Sequence, residues 1–295
     1  GYFTSNCSKT DYNLRGPKGR NPKEFWNYSG GDYAGTWKKR KAGQPFFTVF
    51  NVGHSHESRA FGNHSDDSID PAKMILAPYH PDIPEMRETY AKYASAVGKM
   101  DESVGEAIQR LKADGLYEDT IVVYNSDHGG VIARSKRFLY SSGIHCPLIV
   151  CIPAKWKHLY PTGKKPGSTI DRIVSFIDMP KTWLSLTGAE ITDNFQGRIF
   201  LGPDTEPKPN HHFSWRSRAD ERYDCVRVMR DEQFAYHKNY MPFAPNGQYL
   251  AYMHKMKATG AWERHHKAGK TNAVTGRFFE ARPPEEFYDN FKDFH

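Results

Sequence analysis

Apolar positions along the chain follow two distinct patterns. Pro45–Val52 (PFFTVFNV), Thr120–Tyr124 (TIVVY) and Pro147–Ile152 are short continuous apolar runs. Their length and their β-branched and aromatic content predict buried strands. Between the first two runs, Tyr90, Tyr93, Val97, Met100, Val104, Ile108 and Leu111 recur three and four residues apart. That spacing predicts one long helix over Pro84–Leu116, with Pro84 suited to a first turn and Gly115 to a stop. Ile170–Phe176 reads as a strand or a helix start, and Ile177–Leu186 as helical. Strands alternating with helices predict an α/β fold, a mixed and mainly parallel sheet flanked by helices.

The ends of the chain look different. Gly1–Thr4 reads as a short strand, followed by an irregular stretch rich in Gly, Pro and Asn up to residue 45. From about Pro203 the texture changes again, and Asp224–Tyr240 predicts two strands around the turn Arg230-Asp231-Glu232. The expected organisation is an α/β domain over residues 1–205 and a smaller subdomain with an antiparallel sheet over residues 206–295.

Composition narrows the function. Hydrophobic residues are 38% of the 295, mean hydropathy is −0.74, and no apolar run is long enough to span a bilayer. Lys and Arg number 41 against 34 Asp and Glu, an excess of +7 that favours anionic partners. No helix carries a basic stripe, so nucleic acid is not an expected partner. Lys38-Lys39-Arg40-Lys41 reads as a solvated loop. The four cysteines form no CxxC pair, and Cys146 and Cys151, in an apolar run, read as core thiols.

Candidate chemistry gathers at predicted strand ends. Asn125-Ser126-Asp127-His128-Gly129-Gly130 follows the TIVVY strand. In parallel α/β sheets ligands collect beyond the carboxyl ends of strands. A carboxylate and an imidazole there suit a divalent cation, though taken alone the same residues read more readily as an ordinary turn with a capping Asp. Lys136 follows, able to neutralise an oxyanion as a point charge, or to be a surface lysine. His56 lies in the loop after Pro45–Val52, beside His54 and near His64, and Lys9 and Asp11 follow the first strand. Together, three strand ends would bring Lys9, His56, Asp127, His128 and Lys136 to one edge of one sheet, an arrangement suited to a tetrahedral anion.

The run Ser126-Asp127-His128-Gly129, then Lys136, then Tyr140-Ser141-Ser142-Gly143-Ile144-His145-Cys146-Pro147-Leu148-Ile149 resembles a segment of the sulfatases of the alkaline-phosphatase superfamily. Gly1–Thr4 with Lys9–Asn13, Pro45-Phe46-Phe47 with His54–Arg59, Gln196-Gly197-Arg198 and Pro284–Asp289 agree in the same order. The bacterial heparan N-sulfatase-like members are the most similar in pattern.

The resemblance implies an alkaline-phosphatase-like fold and hydrolysis of a sulfate ester or sulfamate, on a small molecule or glycan. It implies a periplasmic or secreted protein. It also implies a formylglycine nucleophile and a Ca²⁺ ion (Mg²⁺ as the alternative), with Asp127 and His128 as metal ligands. Lys9 and Lys136 would bind sulfate, and His56 would contact it or assist the leaving group. Arg216, Arg218, Asp220, Arg222 and Arg227, in a polar stretch, could reach substrate, Arg218 foremost. The formylglycine motif Cys/Ser-x-Pro-x-Arg and an Asp-Asp metal pair are expected upstream of Gly1, and these residues alone are expected to be inactive. Cys151-Ile152-Pro153-Ala154-Lys155 imitates the motif with Lys for Arg and reads as structural. Asp11 stands where many relatives carry a histidine. The rival readings are a phosphodiesterase or phosphonate hydrolase of the same superfamily, and a non-catalytic binder of sulfated glycans.

Overall fold

The computed structural model describes residues 1–7, 9–10, 12, 25–31, 36–61 and 69–293. Asp11 and His64 lie outside them. The chain divides into two compact units, one of Gly1–His56 with Ala96–Tyr117, the other of Glu57–Ser95 with Glu118–His295.

In the first unit, β1 (Phe3–Cys7) lies between β2 (Tyr28–Ser29) and β3 (Phe46–Phe50), all parallel. β1 is the central strand, and Phe3, Ser5, Asn6 and Cys7 are buried. Its register with β3 runs from Phe3 opposite Phe46 to Cys7 opposite Phe50. Asn51 Nδ2 donates to Asn6 Oδ1 at 2.7 Å and to the Cys7 carbonyl at 3.1 Å, tying the two strand ends together. Buried Trp37 packs on Phe46 and Phe50, with ring centroids 5.9 and 5.8 Å away.

The basic run after Trp37 is exposed at Lys38, Lys39 and Lys41, as expected, and it is also tied to the fold. Lys38 pairs with Asp114 at 3.0 Å, Lys39 sits 3.6 Å over the Tyr28 ring, and Arg40 donates to the Trp37 carbonyl. Long basic side chains cover apolar surface with their stems and keep their charged ends outside.

Helix α1 (Pro84–Ala113) contributes to both units. The expected stripe packs: Leu111 is buried, and Val97, Met100, Val104 and Ile108 are half-buried. The helix ends as Gly115 predicts. Gly115, at φ 69, donates to the Lys112 carbonyl and Leu116 donates to that of Leu111, satisfying carbonyls the helix leaves open.

The second unit holds β4 (Val122–Asn125) paired antiparallel with β5 (Leu148–Cys151), with the short helix α2 (Ser141–Ile144) between them in sequence. Among the described residues β4 hydrogen-bonds to β5 and not to the parallel sheet, so parallel pairing is confined to β1–β3. β5 alternates half-buried and exposed, with Leu148 and Val150 packed and Ile149 and Cys151 outward. Cys151 is therefore exposed rather than a core thiol, and Cys146 is only half-buried. Lys155 of the motif-like run is exposed and pairs with Asp119, in keeping with a structural role.

Ile170–Phe176 forms neither strand nor helix, and the helical run begins at α3 (Asp178–Thr187). The buried Asp178 carboxylate accepts from the Ser175 and Arg198 amides, both at 2.8 Å. A Cβ on Gly197 would stand 1.9 Å from the Ile177 carbonyl oxygen, which explains the glycine in Gln196-Gly197-Arg198.

A four-stranded antiparallel sheet follows: β6 (His212–Ala219), β7 (Arg222–Arg230), β8 (Phe234–Asn239) and, after a long excursion, β9 (Glu285–Asp289). The β7–β8 turn falls where expected, its Asp231 carboxylate accepting from the Gln233 and Phe234 amides. The apolar pattern predicts no element over 241–283, yet α4 (Lys257–Lys267) and α5 (Ala273–Gly276) form there. α4 buries mostly small residues, Ala258, Thr259 and Ala261, with one large one, Trp262. Trp262 is fully buried, stacks on Phe278 at 4.7 Å and donates from its indole to the Thr275 carbonyl. Around it lies the core of this unit, including Met86, Val131, Ile132, Phe138, Leu250 and Met253.

Candidate active site

The loop after β4 is built by close backbone approach. The Gly129 amide donates to the Gly143 carbonyl at 2.8 Å. A Cβ on Gly129 would meet the Ser142 carbonyl oxygen at 1.9 Å, and one on Gly143 the Phe138 carbonyl oxygen at 2.2 Å. These glycines let the 126–130 loop lie against α2. Ser126 Oγ donates to the His128 carbonyl.

Asp127 and His128 lie together at this strand end, with Oδ1 and Nε2 3.7 Å apart. His128 Nδ1 lies 2.7 Å from the Gly129 carbonyl. A carbonyl can only accept, so Nδ1 carries a hydrogen, and Nε2 is the ring nitrogen that faces Asp127. A backbone carbonyl that orients one imidazole nitrogen is a common support for metal ligation by the other. The donor set, an exposed carboxylate oxygen and an oriented imidazole nitrogen, fits a divalent cation. It is part of a coordination sphere: among the described residues no third His, Cys, Asp or Glu completes a metal-holding group. Cys146 is close enough for the Asp127 charge, with burial the larger cause, to raise its thiol pKa.

Lys136 follows in the same unit, its amide donating to the Gly130 carbonyl at 2.8 Å. Its ammonium lies 3.5 Å from Glu57 Oε2, and Arg137 donates from Nη1 to Glu57 Oε1 at 2.8 Å and from Nε to Asp220 at 2.7 Å. Glu57 is fully buried. Asp220 lies in the tight β6–β7 connection, at φ 48, and Arg218 Nε donates to its carbonyl. Arg137 thereby ties the hairpin carrying Arg218 to the Lys136 segment. Residue-by-residue reading misses Glu57 and Arg137; their only signal is adjacency, Glu57 to His56 and Arg137 to Lys136.

A buried histidine anchors the 131–137 segment. His80 Nε2 donates to the Ala133 carbonyl at 2.7 Å, so Nδ1 accepts from the Tyr90 hydroxyl at 2.7 Å. Burial lowers the His80 pKa to about 4 and raises that of Tyr90 to about 12.

Lys9 and His56 belong to the first unit. Both are exposed, beyond the carboxyl ends of adjacent parallel strands, with the Lys9 carbonyl accepting from Asn6 Nδ2 at 2.6 Å. The structure thus places Lys9 and His56 at one sheet's end, and Asp127, His128 and Lys136 after a strand of another sheet.

The loop after β4 carries a carboxylate and an oriented imidazole, with Lys136 shortly after them. The sulfatase family model matches residues 5–189. An ulvan-active sulfatase of Formosa agariphila is 30% identical over 98% of this chain and 52% of its own length. Human N-sulphoglucosamine sulphohydrolase is 31% identical over 48% of this chain and 28% of its own. A solved 2-O GAG sulfatase shares the fold, with a TM-score of 0.56 and 13% identity over 99% of this chain and 65% of its own. The chain belongs to the sulfatase family. It spans about half the length of the curated relative that matches nearly all of it. Among the described residues no helix is long and apolar enough to cross a membrane.

Proposed function

We propose that the protein hydrolyses sulfate esters or sulfamates on a carbohydrate, and that the loop after β4 contributes to its metal site. What carries this reading is the Asp127–His128 pair, with His128 Nε2 facing Asp127 and Nδ1 held by the Gly129 carbonyl. Asp127 and His128 would hold Ca²⁺, or Mg²⁺, which supplies positive charge for the sulfate oxygens. Formylglycine would supply the attacking oxygen. Lys136 stabilises sulfate charge as it grows; the fully buried Glu57 carboxylate holds it in place without a hydrogen bond. Lys9 is a second sulfate contact, and His56 contacts sulfate or protonates the leaving oxygen or nitrogen. Arg218 reaches the substrate from the β6–β7 hairpin. A periplasmic or secreted location belongs to the same proposal.

The test is turnover by the full-length protein of an aryl sulfate, an aryl phosphonate monoester and a sulfated disaccharide. Sulfate ester turnover abolished by chelation is the expected result. Faster phosphonate turnover would move the protein to the phosphonate hydrolases. Binding of the sulfated disaccharide without turnover of any of the three would make it a glycan binder.

A further inference from the structure

The second unit contains a cavity of about 240 Å³ between the 134–144 segment and the β7, β8 and β9 strands. Arg134 forms one wall. Its guanidinium lies over the rings of Tyr79 and Tyr140, 4.0 and 4.2 Å from their centroids. Two cation–π contacts fix its position, and its N–H groups donate in the guanidinium plane. Its backbone is left-handed, at φ 74, a conformation arginine seldom adopts and one that concentrates at functional positions.

A second guanidinium, that of Arg230, lines the same space and donates to Ser141 Oγ at 2.6 Å. Neither arginine makes an ion pair among the described residues. Buried Asn290 Nδ2 has no acceptor among them. The carboxylates nearby are otherwise engaged: Asp293, on the rim, accepts from the Asp289 amide at 2.7 Å. Glu286, outside the lining, accepts from Asn239 Nδ2 and from the Tyr288 and Tyr140 hydroxyls. Burial lowers the pKa of buried His237 to about 4; the Glu286 charge opposes this, and Arg230 and Arg134 add to the lowering. Among the described residues of the lining, two guanidiniums without an ion pair face one carboxylate, and the Asn290 amide is a donor without an acceptor.

The volume equals that of about eight waters, more than one oxyanion fills. Leu139, Ile144, Val228 and Ala235 give the lining an apolar part suited to the C–H face of a ring. We infer that this cavity binds an acidic sugar residue, a pyranose bearing a carboxylate or a sulfate, with Arg134 and Arg230 on its oxyanion and Asn290 donating beside them. The inference rests on the carbohydrate reading above and adds a second anionic group to the substrate, apart from the sulfate to be removed. The Ser141–Ser142 turn that walls the cavity also seats Gly129, next to His128.

Isothermal calorimetry on the 295-residue chain tests this with methyl glucuronoside, methyl glucoside 6-sulfate and neutral methyl glucoside. At least one anionic glycoside is expected to bind roughly tenfold or more tightly than the neutral one, as charge-assisted hydrogen bonds imply. Which of the two binds identifies the anion. Arg134→Gln and Arg230→Gln should each abolish the preference, with folding checked by thermal melting. Should Arg134→Gln fail to fold, Arg230→Gln, on β7, decides alone. Equal binding of all three glycosides, or an Arg230→Gln protein that keeps the preference, overturns the inference. Aryl sulfate turnover by the full-length protein, which needs no sugar, separates the two failures. Turnover without anionic preference removes the cavity site alone; preference without turnover removes the sulfatase reading alone.

Discussion

Glu57 Oε1 accepts a hydrogen bond from Arg137 at 2.8 Å while Oε2 faces Lys136 at 3.5 Å, with the carboxylate fully buried. Removing its charge leaves Lys136 without this counter-ion and Arg137 with Asp220 alone, and breaking a buried pair costs roughly 3–5 kcal/mol. Glu57→Gln is expected to fall in that range by urea denaturation. A loss under about 1 kcal/mol, the level of a surface pair, would show that water already screens the group.

Gly129→Ala sets a methyl group against a backbone oxygen that cannot move aside. Overpacking of this kind costs about 1–3 kcal/mol, and the melting temperature should drop accordingly. Gly98, in α1 and with open space around its would-be Cβ, is the control. Gly98→Ala should stabilise by up to about 1 kcal/mol, since alanine is the better helix former. Equal effects at the two positions would contradict the packing described.

Asp224 is the counter-ion of two buried arginines. Arg282 donates to it twice, at 2.6 and 3.2 Å, and Arg216 Nε lies 3.4 Å away. Asp224→Asn should destabilise the second unit by about 3–5 kcal/mol. A stability within about 1 kcal/mol of the parent would mean the arginines find other acceptors.

Acid should weaken the fold before most carboxylates titrate. His80 and His237 have pKa values lowered from 6.5 to about 4, mainly by burial. Lowered histidine values mean that the unfolded chain takes up protons first. The contribution is therefore fully present above pH 6.5 and is lost as pH falls toward 4. Each histidine should remove about 2 kcal/mol between pH 7 and pH 5. Urea midpoints across that range measure it, and a flat profile would refute neutral burial.

Ca²⁺ affinity of the full-length protein should fall at least tenfold in both Asp127→Asn and His128→Ala, read by calorimetry. Unchanged affinity in both would move the metal site away from this loop.

Much of the first 190 residues was legible because long-period signals dominate there. The α1 stripe and the aromatic β3 run each satisfy one template along their length. β4 and β5 are equally visible as strands, but apolar runs carry no record of direction, and their antiparallel pairing was not. α4 was invisible for a different reason: its buried face is made of Ala258, Thr259 and Ala261, which register weakly as hydrophobic. That Asp127 and His128 follow a strand directly, with Lys136 shortly beyond, was legible in the chain. Glu57 and Arg137 were not, because their roles arise from burial and pairing across 80 positions.

The first unit is assembled from Gly1–His56 and Ala96–Tyr117, and one of its links is the Trp37 indole donating to Asp114 across 77 residues. Its parallel sheet is encoded early, but the helix half that completes the unit is encoded late. On the ribosome the unit stays unfinished until roughly residue 117 has cleared the exit tunnel. For a protein synthesised at about 5–20 residues per second, β1 to β3 wait several seconds for their partner. Silent codon changes that slow translation over 57–95 should lengthen that wait and raise demand for chaperones without altering one side chain.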